Sequence, residues 1–526
     1  MPEYLSPGVS IEDISTGAIP IQGVATSTAG FVGQSERGPT TPRSVTSWLD
    51  YQQWFGGPVD TSLSYLPWAV QGFFDNGGQR AFVARITATG SKSAAVELPT
   101  SDGGQALRLE AVGAGAWGNN IFARVSQPQN QTGTEQRFRL TLIYYTNPPD
   151  PFLDPLDPAN FSYPARRDPD HIEEYSNLGL DPQAPGSVLT TLNAASHLVE
   201  ASWTAADQPP ALPNAVAFAD ARLHGGDNGP DPATVADYQG STTSGLTALE
   251  AVDEIALLCI PEEVKAPLEP LREALLLQCE RLKNRFAVLQ ERDGQSNPET
   301  IRVSRASCYG ATYWPWIRVL DPRTQDTLLV PPGGHVLGIY AHTDLNRGVH
   351  KAPANQVVRG IVDPPGNLGP LEFKVTKEAQ DILNPRGINV IRDFRADGHG
   401  IRVWGARTIA DDPQWRYINI RRLFIFLEES IDKGTQFVVF EPNDEATWAR
   451  VSQSISNFLQ RVWREGTLAG TTTEEAFFVR CDRSTMTQDD IENRRLICQI
   501  GVAPVEPAEF VIFRISQKTL KAAPAS

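Results

Sequence analysis

Apolar and polar positions alternate in twos at both ends of the chain. Near the start, Val9 and Ile11 alternate with Ser10 and Glu12 behind a Pro-Gly turn in SPGVSIEDI; near the end, Val511, Phe513 and Ile515 alternate with Phe510 and Ile512 in AEFVIFRIS. A period of two places every second side chain on one face of a strand. Each end is therefore predicted to be a strand, with no obvious hairpin partner beside it, and residues 1–20 and 508–526 read as terminal arms. Between them the period changes several times. Over 21–90 a small-residue strand ends at Phe31 to Gly33. A helix follows with Trp48, Tyr51, Gln52 and Phe55 at helical spacing behind Ser47 as N-cap, then a helix stopped by Asn-Gly-Gly, then the buried strand AFVARI. Residues 91–215 are β-rich, with ALRLEAV, IFARVSQ and FRLTLIYY separated by long proline-rich loops.

From 216 to 384 strands and helices alternate (GLTALEAVDEIALLCIPE, APLEPLREALLLQCERLKNR, FAVLQERD), as in a parallel α/β sheet. The stretch PPGGHVLGIYAHTDLNRGVHKAPAN, 331–355, reads as a turn, an apolar strand VLGIYA, a turn at Thr343 to Asn346 and a proline loop. Over 385–507, GINVIRDF and IRVWGARTI read as strands and RRLFIFLEESIDKGTQFVVFEPND as a helix and a strand. TWARVSQSISNFLQRVWREG is a helix with Trp448, Val451, Ile455, Phe458, Leu459 and Val462 on one face and Gly466 past its end. The expected class is a multidomain α/β and α+β protein, and no repeat of fixed period is visible.

Length agrees with that division, since 526 residues exceed what one ordinary core organises. A net charge of −16 without a Lys/Arg run speaks against nucleic acid and anionic membrane as main partners and leaves protein. No window is apolar over the roughly 18 residues a membrane span needs, and MPEYLSPGVSIED lacks the basic-then-apolar pattern of a signal peptide. The expected place is the cytoplasm, with release on lysis. Five widely spaced cysteines without a CxxC pair point to buried free thiols.

The polar density of 331–355 raises the question of an active site. His335, Asp344, His350, Lys351 and Asn355 are the candidates there. No G-x-S-x-G elbow supplies a nucleophile, and no HExxH puts two imidazoles on one helical face. The five read as loop-fixing residues whose side chains bond backbone groups. LHGGDNG, 223–229, lacks the spacing and lysine of a phosphate loop, and AWGNN, 116–120, reads as a tight connection.

Together SPGVSIEDI, GVATSTAGFVGQSERGP, AWGNN, LHGGDNG, YWPWIRVLDP, the 331–355 block, GINVIRDF with IRVWGARTI, and EFVIFRIS resemble, in order and from end to end, the sheath proteins of contractile phage tails and phage-tail-like injection systems. The resemblance implies a subtilisin-like α/β domain without a triad over 21–90 and 216–384, a β-sandwich inserted at 91–215, and a C-terminal α/β sheath domain. It implies no catalysis, cofactor or metal; a hydrolase on the same scaffold and a soluble adhesin are the alternatives. Implied partners are further copies of the chain in stacked hexameric rings and a helical polymer, an inner tube protein, baseplate and terminator or cap proteins, and a disassembly ATPase. Direct membrane insertion is not implied; the particle would assemble in a bacterial cytoplasm or form part of a virion. In the family, terminal arms add strands to neighbouring subunits, so Val9, Ile11, Val511, Phe513 and Ile515 are the expected buried arm positions. Residues 386–466 hold 12 Lys/Arg and 11 Asp/Glu, a net of +1 in a chain of −16. Arg450, Arg461 and Arg464 on the helix 446–465 are accordingly the candidates to face an acidic inner tube.

Overall fold

Small residues let the first described strand enter a sheet covered on both faces. A computed structural model describes residues 20–100, 106–126, 137–184, 186–204, 211–230, 233–366 and 368–509, so the arm positions Val9, Ile11, Val511, Phe513 and Ile515 lie outside the described residues. β1 (Ala29–Gly33) is buried along its whole length, and a Cβ on Gly30 would sit 2.7 Å from the Leu258 side chain. β2 (Arg43–Val45) and β3 (Ala81–Arg85) follow on one side of it. The Ser47 hydroxyl caps the helix Trp48–Phe55 by accepting from Asp50 N, and the helix Leu66–Asp75 ends at Asn76, both as the sequence predicts.

The chain then leaves this sheet to build a β-rich insertion. β4 (Ala95–Leu98), β5 (Leu107–Ala111), β6 (Ile121–Ser126), β7 (Arg137–Tyr144), β8 (His171–Gly179) and β9 (Val199–Trp203) form two three-stranded antiparallel sheets, ordered β4-β5-β9 and β6-β7-β8. Leu107, Leu109, Ile121, Ala123, Leu140, Leu142 and Val199 from both sheets meet in one core. The return segment bridges to the insertion at Val216, Arg222, His224 and Asp227, beyond the expected boundary at 215. That segment explains two motifs. Asn119 of AWGNN accepts from Gly226 N (2.8 Å) and donates to Gly226 O (2.9 Å), and Asn228 of LHGGDNG accepts from Ala116 N (2.8 Å). The amides clamp one connection to the other, and no phosphate loop is formed.

β10 (Leu257–Cys259), β11 (Phe286–Gln290) and β12 (Gly310–Trp314) resume the first sheet, β13 (Ile317–Asp321) and β14 (Asp326–Val330) make a separate hairpin, and β15 (Ile388–Asp393) and β16 (Ile401–Trp404) complete the sheet. Its order is β16-β15-β12-β11-β10-β1-β3-β2, parallel except for the antiparallel edges β2 and β16. Strands buried on both faces carry unbroken apolar runs, which is why FAVLQ and GATYW show no alternation.

Three expectations are corrected. VLGIYA is not a strand but the middle of the helix Gly333–Arg347, whose residues 333–341 are all buried. A helix enclosed on every side has no polar face, so its period is invisible and a short apolar run reads as a strand. QFVVF is a single 3-10 turn, Gln436–Val438, with Val439 and Phe440 exposed. GINVIRDF and IRVWGARTI belong to the eight-stranded sheet, so the sheet runs past the boundary at 384 because β15 pairs with β12.

The described chain divides into a larger unit within 23–349 and 353–430 and a smaller one of 20–22, 350–352 and 431–509, with the helix Ile418–Gly434 carrying the chain from one to the other. In the smaller unit the helix Glu445–Arg464 buries Trp448, Val451, Ile455, Phe458, Leu459 and Val462, the face read from its sequence. An antiparallel ribbon, β17 (Phe477–Arg480) with β18 (Gln499–Val502), completes its described part. All five cysteines are free thiols.

Candidate functional site

Glycines account for much of the 331–355 block. A Cβ on Gly334 would meet Ala69 O at 2.1 Å and one on Gly338 would meet Phe73 O at 2.4 Å, so the helices Gly333–Arg347 and Leu66–Asp75 are in backbone contact. The bare Gly72 opposite makes room for the His335 ring, since a Cβ there would lie 2.2 Å from Nδ1. His335 is buried and its Nδ1 has no hydrogen-bond partner among the described residues. Burial pushes its pKa down to about 4, so the ring is neutral at physiological pH.

One turn from the end of the same helix, Asp344 takes both terminal nitrogens of Arg422, Nη1 at 2.9 Å and Nη2 at 2.5 Å, in an ion pair nearly sealed from solvent. Arg422 Nη2 also donates to Thr26 O (2.9 Å), and the guanidinium lies 5.0 Å from the Tyr340 ring centre, whose hydroxyl is 2.7 Å from that of Tyr313. The pair fixes the start of the helix Ile418–Gly434. The remaining candidates of the block are also tied down. His350 Nδ1 is 3.2 Å from Thr467 Oγ1 within the smaller unit, and Lys351 Nζ donates to Ala352 O (2.8 Å). Asn355 stands at φ 58°, a left-handed position asparagine tolerates, and donates to Val403 O while accepting from Arg402. The structure does not gather these five into one reacting centre.

In open α/β sheets, ligands sit beyond the carboxyl ends of the strands. Here that edge is filled by the chain's own side chains. After β10, Glu262 Oε1 accepts from Ser64 Oγ (2.6 Å) and from Tyr65 N and Leu66 N (2.6 and 3.2 Å) at the start of the helix Leu66–Asp75. Glu263 accepts from Arg272 Nε (3.0 Å) and from Gln290 N and Nε2 (2.8 and 3.1 Å), while Gln290 Oε1 takes Gly333 N (3.2 Å) at the start of the next helix. Burial raises the pKa of Glu262, and that of Glu291 up to about 7. Glu262 thereby caps the helix Leu66–Asp75, and Glu263 ties Arg272 to the end of β11.

An open apolar surface lies in the smaller unit. A two-stranded ribbon is marginal alone, and among the described residues β17 and β18 pair only with each other. Phe478 lies over Gly501 of the opposite strand, where a Cβ would be 2.2 Å from its ring, and yet is half exposed. Ile500 and Val505 are exposed nearby in sequence, and Val439 and Phe440 add a further exposed apolar pair. On the helix Glu445–Arg464, Arg450 is bound to Glu441 (2.9 Å) and Thr447 (3.1 Å), and Arg461 donates to the Ile21 carbonyl. Arg464 is exposed and forms no ion pair among the described residues. Sequence reading missed β17: its Phe-Phe-Val-Arg has two consecutive aromatics and no clear alternation, and only the pairing partner reveals it.

Two family models match in tandem: the phage tail sheath protein central domain over residues 232–409 and the phage tail sheath C-terminal domain over 410–518. A prophage major tail sheath protein of Pseudomonas aeruginosa is 23% identical over 261 residues, 48% of this chain and 64% of that protein; the tail sheath protein of Burkholderia phage BcepMu is 27% identical over 186 residues, 34% and 37% respectively. The chain thus matches less than two thirds of the length of these relatives. Among solved structures, the anti-feeding prophage helical sheath in its contracted state is 26% identical with a TM-score of 0.55, covering 98% of this chain and all of that one. The contracted sheath complex of the extracellular injection system PVC has a TM-score of 0.56 at 22% identity, covering 98% and 99%.

Proposed function

The chain belongs to the phage tail sheath family, and from that premise we propose that it is the structural subunit of a contractile sheath, which polymerises as stacked hexameric rings around an inner tube and shortens to drive the tube through a target envelope. The observation that carries the proposal is the ribbon β17–β18, a sheet whose two strands pair only with each other among the described residues and which exposes an aromatic side chain. An extended arm from another copy would pair with it through main-chain hydrogen bonds while alternate side chains pack on either face. Val9 and Ile11, or Val511, Phe513 and Ile515, have the required period of two. Strands paired in this way stay linked while whole subunits rotate.

The larger unit would act as a rigid body on a subtilisin-like plan without a triad, with the insertion as a β-sandwich on it. Its filled strand edge supports a non-enzymatic role over the hydrolase reading, and end-to-end likeness to sheath structures supports it over an adhesin. Energy for shortening would come from a second subunit arrangement that buries more inter-subunit surface, a bistable interface biased ring by ring. Contact with an inner tube would fall foremost to Arg464, since Arg450 and Arg461 already hold Glu441 and Ile21 of their own subunit. Exposed ion pairs of about 0 to 1 kcal/mol each would let the tube go. Baseplate and terminator proteins would nucleate and close the polymer, and a disassembly ATPase would recycle it. Among the described residues no helix is long and apolar enough to cross a membrane.

Electron microscopy tests the reading directly. The full chain, expressed with its tube and baseplate proteins, should form hollow striated cylinders, and a version lacking 1–14 and 508–526 should remain as dispersed subunits. Striated cylinders from the trimmed chain would overturn the arm linkage, and dispersed subunits from the full chain with its partners would overturn the sheath.

A further inference from the structure

Within the insertion, β8 places His171 and Glu173 two residues apart, hence on one face of the strand. The chain returns after the helix Val188–Ala195 through Ser196 and His197, just before β9. His171 Nε2 lies 3.3 Å and His197 Nδ1 3.4 Å from the same oxygen, Oε1 of Glu173, and one donor atom from each residue lies within 4.8 Å of the others. Glu173 is buried, and the two imidazoles are 20% and 25% exposed. The other carboxylate oxygen, Oε2, accepts from Ser196 Oγ (2.6 Å) and Tyr175 OH (2.9 Å), which fixes the plane of the group. The His197 ring is held edge-on to Trp54, 4.4 Å between centres.

Hydrogen bonding alone fits this geometry poorly. Oε1 already accepts from His197 N at 2.8 Å, and three nitrogens surround an oxygen with two lone pairs. The ring contacts are also long beside the roughly 2.7–2.9 Å of charge-assisted N–H···O bonds. They match a different arrangement: nitrogen and oxygen ligands about 2.0–2.2 Å from a tetrahedral ion lie about 3.4 Å from one another.

We propose that His171 Nε2, His197 Nδ1 and Glu173 Oε1 form a site for a zinc-class divalent ion, with water entering from the exposed imidazole side as fourth ligand. Two imidazoles and a carboxylate suit zinc over magnesium or calcium, which take oxygen sets. Ser196 and Tyr175 orient the carboxylate from behind, as outer partners of metal ligands do. Because β8 belongs to one sheet of the insertion and His197 leads into β9 of the other, the ion cross-links the two sheets. Its role is a clamp within the subunit.

The full chain is stripped with chelator, loaded with cobalt(II) and desalted. Wild type should retain one cobalt per chain with the intense visible absorption of a four-coordinate ion, displaced by zinc; His171→Gln and His197→Gln should each lose both the retained ion and the band. Equal retention and spectra in wild type and variants, or none in wild type, would overturn the site. Should a variant lose its circular dichroism signature, wild type alone decides. Zinc should protect His171 and His197 from diethylpyrocarbonate, read by peptide mass spectrometry, and equal modification with and without zinc sinks the proposal.

Discussion

At the scale of single residues, this molecule depends on groups that would be costly if left unpaired. Removing one member of a buried ion pair strands the other charge at about 3–5 kcal/mol. Asp344→Ala should therefore lower the unfolding free energy by that amount, while Asp344→Leu with Arg422→Met should recover much of it; both are read by chemical denaturation. The bare helix contacts are equally strict. Gly338→Ala pushes a methyl onto Phe73 O and should lower the melting temperature, whereas Gly57→Ala, whose Cβ would find its nearest neighbour at 3.9 Å, should not. His335 gives a pH dependence with a definite sign. Its folded pKa, about 4, lies below the ordinary 6.5, so the unfolded chain binds the extra proton between those values. Stability should fall as pH drops from 6.5 towards 4, by up to about 3 kcal/mol from this group. The difference between wild type and His335→Gln isolates it from Glu291, whose raised pKa acts in the opposite direction.

At the scale of elements, the contrast lies between the eight-stranded sheet, whose strand ends are plugged, and the ribbon β17–β18, whose strands among the described residues pair only with each other. Phe478→Asp places a charge where an added strand would pack. It should leave a folded monomer by circular dichroism and abolish striated cylinders under the microscope; cylinders of normal length would show that the strand is added elsewhere. Phe478 already lies half in solvent, so the monomer loses little by the change.

At the scale of the whole molecule, shortening of a sheath built on a bistable interface is expected to be a one-way release of energy stored during assembly. An extended sheath warmed in a calorimeter should give one exothermic transition, coincident with shortening by microscopy, and should not extend again on adding ATP. Re-extension would mean that a chemical motor is present.

Local pattern carried a good deal of this. The cap at Ser47, the amphipathic helix Glu445–Arg464 and the strands around AFVARI and FAVLQ are set by residues close together in sequence, where period, capping and turn chemistry act. The family was also legible, because an ordered series of short motifs survives where overall identity is low. Burial and pairing between distant segments were not. VLGIYA became a helix because both neighbouring layers enclose it, and Asp344 found Arg422 across 78 residues. AWGNN and LHGGDNG acquired their meaning from each other. His171, Glu173 and His197 show no ligand spacing along the chain and converge only because β8 and the turn before β9 come together in the folded insertion. Sequence fixes what each segment prefers alone; only tertiary structure, by choosing which faces lose water together, decides which residues meet.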